Sequence, residues 1–166
     1  MALDALKRVI LLIVFALVQA LVLNHIRLFD CATPLLYVYF ALLLPRNYPK
    51  GIALLWCFAM GLVVDLFSNT PGLAAGTMTL VGMMQTYLLE LFVPRDSIEN
   101  LECSASTLGY GKFFLLALIL VSVYCLFYFT LEMFSFFNWK QLLLNIGGSI
   151  VITLVMIMTL ESVRRP

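Results

Sequence analysis

Two carboxylates within otherwise apolar segments, Asp65 and Glu132, are the residues of this chain best suited to chemistry. An ionisable side chain costs at least about 2.5 to 3.5 kcal/mol at the centre of a membrane helix, so each needs protein or water around it. Two carboxylates that share a watery vestibule could catalyse acid–base steps or relay protons. However, no basic or metal-binding side chain accompanies them within the apolar segments, and the G-x-S-x-G, P-loop, H-E-x-x-H and dinucleotide-binding motifs are absent. We therefore expect a protein that is not an enzyme and has no catalytic, cofactor-binding or metal-binding residues.

Asp65 lies just before a polar turn in the stretch 61–76, which reads G-L-V-V-D-L-F-S-N-T-P-G-L-A-A-G. The turn residues, with Pro71 placed to start the next helix, predict a helix hairpin whose tip lies at a membrane surface. A carboxylate one turn before a helix end can accept hydrogen bonds from the next helix N-terminus, here from the amides around Gly72 and Leu73. We expect this structural role for Asp65. The residues that define the hairpin are Gly61, Asp65, Pro71, Gly72 and Gly76.

Gly72 and Gly76 form a G-x-x-x-G pair, a spacing that lets a neighbouring helix approach to backbone distance. The neighbour can be a helix of the same bundle. Alternatively, this face can meet a second copy or a different protein.

The last apolar segment carries a polar stripe, because Asn145, Ser149 and Thr153 recur every four residues. On an otherwise apolar helix such a stripe is expected to face other helices. Glu132 falls toward the same end of its own segment as Asp65 does. We expect Glu132 and the three stripe residues to contact a partner or to line a vestibule.

The composition is that of a membrane protein, with 63% hydrophobic residues, 11% charged residues and a mean hydropathy of +1.05. Ordinary soluble domains carry about 25% charged residues. A net charge of +1 without a basic run excludes a nucleic-acid surface. The four cysteines show no C-x-x-C spacing and predict neither a disulfide framework nor a metal site, and the single His25 is expected to be solvated.

Six apolar segments predict a single all-α domain over residues 1–166, with approximate spans 8–24, 33–45, 51–67, 72–93, 113–137 and 141–160. The second segment is too short to cross unaided. If it crosses, one side of the membrane holds 8 basic residues and the other holds only Arg27 and Lys140. If it does not cross, the excess of basic residues is smaller and lies on the side of the membrane opposite the N-terminus. The positive-inside rule therefore favours six spans with both termini cytoplasmic.

The combination of Gly61-x-x-x-Asp65, the turn 68–72 and the small residues through Gly76 resembles the segment characteristic of the bacterial rod shape-determining protein MreD family. The order of the parts is similar too. It runs from a basic start through the short segment 33–45, this hairpin and an interfacial connection to two final spans that end in basic residues.

The resemblance implies a non-catalytic, multi-pass component of the bacterial inner membrane that regulates cell shape as part of the elongation machinery for peptidoglycan synthesis. Its implied partners are an MreC-like bitopic membrane protein, the MreB filament, RodA and the elongation penicillin-binding transpeptidase, besides membrane lipids. The family is also similar in its six-helix architecture to the S-components of energy-coupling-factor transporters.

A second function stays open from the residues themselves. A vestibule near Asp65 and Glu132, together with the small residues Ala16 and Ala20 on the first segment, would suit a vitamin-binding subunit of a membrane transporter.

Overall fold

The computed structural model of the chain describes residues 2–22, 33–45, 48–93, 105–133 and 138–164. These ranges contain helices and no strand, so the predicted all-α class is confirmed for them. The helices are α1 (Ala2–Leu21), α2 (Val38–Leu42), α3 (Lys50–Ser68), α4 (Leu73–Phe92), α5 (Ala105–Leu108), α6 (Tyr110–Met133) and α7 (Trp139–Arg164).

Three helices of the described part, α3, α6 and α7, are long and apolar enough by length and composition to cross a membrane. The other two long helices contain charged and other polar residues. α1 begins with Asp4, Lys7 and Arg8, and α4 contains Gln85 and Glu90 besides several threonines and glycines. The sequence thus supports a membrane protein most strongly through α3, α6 and α7.

The helices pack in a chain of neighbours. α3 and α4 form an antiparallel hairpin, α4 packs on α6, α6 packs on α7, and α1 packs on α3. The five-residue helix α2 contacts α1, α4 and α6, and all of its residues are at most 3% exposed. This short helix therefore lies at the centre of the core.

The segment 33–45 differs from its prediction, because only Val38–Leu42 is α-helical. Residues 33–35 have no regular structure, and residues 36–37 form a turn before this helix. Pro34 has no amide to donate, and the amides of Thr33, Leu35 and Leu36 bond to side chains of α1 and α7 instead of to helical carbonyls. Side chains outside the segment therefore accept the hydrogen bonds of amides that were expected to lie in the first turn of a helix.

The other predicted spans agree more closely with the helices. The spans 51–67 and 72–93 correspond to α3 and α4 within two residues, while α7 extends beyond 141–160 at both ends. α1 begins before residue 8 and α6 begins before residue 113. Positions 23–24 and 134–137 of the predicted first and fifth spans lie outside the described residues, as does His25. Cys57 and Cys125 are buried free thiols in α3 and α6.

Two ends of the molecule are distinguished by their side chains. At the end that we call the hairpin end, Thr70 lies beside Tyr128 and Glu132 around one cavity. At the opposite end, called the basic end, Lys7 and Arg8 of α1 share a second cavity with Arg164 of α7. Lys50 at the start of α3 pairs with Glu90 near the end of α4 at 3.6 Å.

Candidate functional site

The Asp65 carboxylate is the best-satisfied polar group of the hairpin end. Its Oδ1 accepts hydrogen bonds from the Ala74 amide at 2.8 Å and from the Thr70 hydroxyl at 3.0 Å. Its Oδ2 accepts from the Ala75 amide at 2.9 Å, and the residue is only 4% exposed. The two amide donors therefore belong to the first turn of α4 and lie one and two residues beyond the expected Leu73, while the Thr70 hydroxyl belongs to the preceding turn.

Every amide of the first turn of α4 has an acceptor. A helix leaves its first four N–H groups without helical partners. Here Leu73 donates to the Thr70 carbonyl, Gly76 donates to the Gly72 carbonyl, and Ala74 and Ala75 donate to Asp65. Asp65 thereby places a negative charge at the positive end of the α4 dipole, which stabilises the helix start.

The turn between α3 and α4 depends on two residues with positive φ. Asn69 ends α3 at φ 56°, and Gly72 precedes α4 at φ 84°. Gly pays no steric cost in this conformation, and Asn tolerates it better than most residues. Pro71 lies in the turn, two residues before α4 begins at Leu73. The backbone reversal thus brings the start of α4 back beside Asp65.

Gly61 lets α3 and α4 touch at backbone distance. A Cβ at Gly61 would lie 2.4 Å from the Cα of Ala75 and 2.6 Å from the carbonyl oxygen of Ala74. A second close contact along the hairpin involves a side chain, because a Cβ at Gly82 would lie 2.6 Å from the Cys57 Sγ. The close approach puts Asp65 within reach of the α4 amides.

The G-x-x-x-G pair makes no close contact with the described part of the bundle. A Cβ added at Gly72 or at Gly76 would meet nothing within 4 Å, and both glycines are exposed. Among the described residues, the within-bundle alternative for Gly72 and Gly76 is therefore wrong, and Gly61 and Gly82 make close contacts instead. The partner alternative is left untested by this arrangement.

Glu132 and Asp65 approach the same tyrosine but do not share an open site. Glu132 is exposed and lines a cavity of about 230 Å³ together with Gln19, Thr70 and Tyr128. Asp65 is absent from the cavity wall, although both carboxylates interact electrostatically with Tyr128. The Glu132 carboxylate therefore belongs to the cavity, whereas the Asp65 carboxylate faces α4.

The polar stripe of α7 bonds to the backbone of segment 33–45. Ser149 Oγ accepts from the Thr33 amide at 3.1 Å, and Thr153 Oγ1 accepts from the Leu35 amide at 3.1 Å. Asn145 is half-buried and accepts from Gln141 of the same helix at 3.4 Å. Two of the three stripe residues therefore compensate for the missing first turn of this segment.

Gln19 is a structural residue that the sequence interpretation missed. It is 1% exposed, donates from Nε2 to the Pro34 carbonyl at 3.0 Å, and accepts at Oε1 from the Leu36 amide at 3.2 Å. A lone amide side chain in an apolar helix needs such partners, because unpaired polar groups are costly in hydrocarbon. That requirement, combined with a nearby proline that interrupts a helix, is the signal by which Gln19 could have been found.

A second missed residue is Glu161 of α7, near the basic end. It is 2% exposed, and the Tyr39 hydroxyl donates to its Oε2 at 2.5 Å. Deeper in the core, the hydroxyls of Tyr37 and Tyr124 are hydrogen-bonded to each other. The central segment is thus tied to α6 and α7 by tyrosine hydroxyls as well as by its backbone.

Metal-ligand clusters of three or more His, Cys, Asp or Glu side chains do not occur in the described ranges. No family model, curated protein or solved structure matches the chain.

Proposed function

We propose that this chain is a non-catalytic inner-membrane component of the bacterial cell-elongation complex, which binds an MreC-like bitopic partner and supports peptidoglycan synthesis. The observation that carries the proposal is the α3–α4 hairpin. The stretch 61–76, through which the sequence resembles the MreD family, forms a corner in which Asp65 and Gly61 both have internal partners. A carboxylate occupied by two amides and a hydroxyl is suited to holding a shape that other proteins recognise.

The proposal includes six membrane crossings, and the path of segment 33–45 supports it. The segment begins beside Gln19, near the end of α1, and its last residues lie beside Arg8 near the start of α1. Eleven helical residues separate Gln19 from Arg8, a rise of about 16 Å. The segment therefore runs antiparallel to α1 and takes the chain back toward the basic end. Non-helical backbone is tolerated at membrane depth where protein buries it, as protein does here.

The distribution of charge supports cytoplasmic termini. Lys7, Arg8, Lys50 and Arg164 belong to the basic end, whereas Lys140 lies at the start of α7 near the opposite end. Cytoplasmic ends of membrane proteins carry such an excess of Lys and Arg. We therefore orient the basic end toward the cytoplasm and the hairpin end away from it.

The proposed contact for the partner helix is the open face of α4 around Gly76. The side chains that follow it on this face, Met83, Tyr87 and Leu91, are 53%, 55% and 80% exposed. A glycine on an exposed apolar face lets a second membrane helix approach closely. MreB, RodA and the transpeptidase would be reached through the MreC-like partner or directly.

Co-purification tests this proposal with a matched pair of variants. Gly76→Leu and Gly147→Leu both alter exposed helical glycines whose added carbon meets nothing within 4 Å, but only Gly76 lies on the proposed face. We expect Gly76→Leu to lower recovery of the MreC-like partner by about fivefold or more, which corresponds to loss of roughly 1 kcal/mol of helix contact. Gly147→Leu should recover the partner as the unmodified chain does. Equal recovery with both variants would refute the α4 face, and no recovery by the unmodified chain would refute the proposed function.

A second candidate function, a vitamin-binding subunit of a transporter, is favoured by the cavity at the hairpin end. Thr33, Thr70, Tyr128 and Glu132 supply convergent polar groups there. Its volume of about 230 Å³ is below the roughly 300 to 1,000 Å³ of typical ligand pockets, which ranks this function second. An increase in melting temperature with a water-soluble vitamin, absent in Glu132→Gln, would support this transporter function. An unchanged melting temperature with every vitamin of a panel would refute it.

A further inference from the structure

We propose that the cavity at the basic end binds the headgroup phosphate of an anionic phospholipid. The cavity has a volume of about 580 Å³ and lies between α1, α7 and the end of segment 33–45. Lys7, Arg8 and Arg164 line it, and Leu43 to Pro45 form part of its wall. The site is separate from the proposed partner face on α4 and does not depend on the proposed function.

The first reason is a buried donor without a partner. The Nη1 atom of Arg8 is inaccessible to solvent and has no hydrogen-bond acceptor among the described residues. The guanidinium carbon of Arg8 lies 3.7 Å from the centroid of the Tyr48 ring, so the ring covers one face of the group. A buried N–H of a charged group is costly unless an acceptor is present, and a phosphate oxygen is the acceptor that matches a guanidinium best.

The second reason is an excess of positive charge. Three cations line the cavity, and among the described side chains around it one carboxylate, Glu161, lies nearby. Glu161 is itself buried and accepts a hydrogen bond from Tyr39. The cavity therefore keeps a net positive charge with Glu161 ionised, and an anion would be attracted into it.

The third reason is the apolar surface next to the cations, which favours a lipid over free phosphate. Leu11, Phe15, Leu160 and Val163 also line the cavity. Leu11 is 38% exposed and Val163 is 77% exposed, so the apolar wall continues onto the outer surface of α1 and α7. An acyl chain can cover this wall while the headgroup phosphate meets the three cations. Basic pockets between helices on the cytoplasmic side of membranes bind lipid headgroups in this way.

Native mass spectrometry of the full chain in a nonionic detergent tests the site. The probes are dioleoyl phosphatidylglycerol, dioleoyl phosphatidylcholine and inorganic phosphate. We expect phosphatidylglycerol to bind at one preferred site and phosphatidylcholine to bind about tenfold more weakly, because phosphatidylcholine keeps the phosphate but adds a choline cation that the three cations repel. Inorganic phosphate at millimolar concentration should not displace the phosphatidylglycerol.

Matched variants locate the binding. Arg8→Gln and Arg164→Gln should each weaken phosphatidylglycerol binding by about tenfold, because each removes a cation that lines the cavity. Lys112→Gln, an exposed cation at the start of α6 outside the cavity, should leave it unchanged. If Arg8→Gln does not fold, Arg164→Gln carries the test, since Arg164 is exposed.

Two outcomes would overturn the proposal. Equal weakening by Lys112→Gln would mean that phosphatidylglycerol responds to net charge rather than to this cavity. Displacement of the lipid by inorganic phosphate would mean that the cavity binds a soluble anion rather than a lipid.

Discussion

Replacing Asp65 tests the central physical argument, namely that this carboxylate stabilises the start of α4. Asp65→Leu leaves the Ala74 and Ala75 amides and the Thr70 hydroxyl without their acceptor in a site that is nearly closed to water. Each buried donor left unpaired costs about 1 to 3 kcal/mol, so we expect the free energy of unfolding to fall by about 3 to 5 kcal/mol. Asp65→Asn keeps one carbonyl oxygen but turns an NH₂ group toward a donating amide, and should cost about 1 to 2 kcal/mol.

The assay is denaturant unfolding of the purified protein in detergent, together with the amount of protein inserted in the membrane. Glu132→Leu is the matched control, because it removes a carboxylate from the same end of the molecule at an exposed position. The expected order of stability is the unmodified chain and Glu132→Leu first, then Asp65→Asn, then Asp65→Leu. If Asp65→Leu were as stable as Asp65→Asn, the capping of α4 by the carboxylate would be refuted.

Three further substitutions test the packing and the bonded backbone, again by denaturant unfolding in detergent. Gly61→Val should lower stability by about 3 kcal/mol or more because its first added carbon overlaps the Ala75 backbone, whereas Gly147→Val, in open space, should change it by less than about 1 kcal/mol. Gln19→Leu should cost about 2 to 3 kcal/mol, because it unpairs a carbonyl and an amide of segment 33–45, and an unchanged midpoint would contradict it. Thr153→Val should lower the free energy of unfolding by about 1 kcal/mol, because it removes the acceptor of the Leu35 amide. The control Thr159→Val should leave it unchanged, since the exposed Thr159 hydroxyl bonds only within its own helix. Equal effects of the two substitutions would contradict this prediction.

The hairpin was predictable because its signals are local. An ionisable residue one turn before a Ser-Asn-Thr-Pro-Gly turn requires a nearby donor, and the next helix N-terminus supplies one. The register of that contact was wrong by one or two residues, since the donors are the amides of Ala74 and Ala75 rather than those around Gly72 and Leu73. Helix ends depend on such caps and are the least determined part of a sequence pattern.

The interrupted segment 33–45 was less predictable because its partners lie far away in sequence. The Leu35 amide bonds to Thr153, 118 positions away, and no local pattern in residues 33–45 specifies that bond. The four-residue spacing of Ser149 and Thr153 did predict a stripe facing other helices. The spacing alone does not reveal that the stripe binds backbone amides rather than side chains or a partner.

The sequence correctly indicated that glycines let helices approach closely, but the G-x-x-x-G spacing pointed to the wrong glycines. The G-x-x-x-G spacing drew attention to Gly72 and Gly76, whose added carbons meet open space, while the close contacts fall on Gly61 and Gly82. The spacing describes one helix, but close approach depends on the crossing point of two helices, which the α3–α4 turn fixes. Asp65 and Gly61, one turn apart on α3, face that crossing point together.

One physical requirement links the hairpin to the interrupted segment. Each contains a stretch where the chain leaves helical geometry, at 69–72 and at 33–37, and both stretches border the cavity of the hairpin end. Buried backbone groups that lose their helical partners need other hydrogen-bond partners within the protein, and side chains can supply them. In a chain with only 11% charged residues, Asp65, Gln19, Ser149 and Thr153 meet this need. These four polar side chains are therefore explained by the backbone groups that they bind. Glu132 has a different position, because it is the acidic side chain of the hairpin end that lines the cavity.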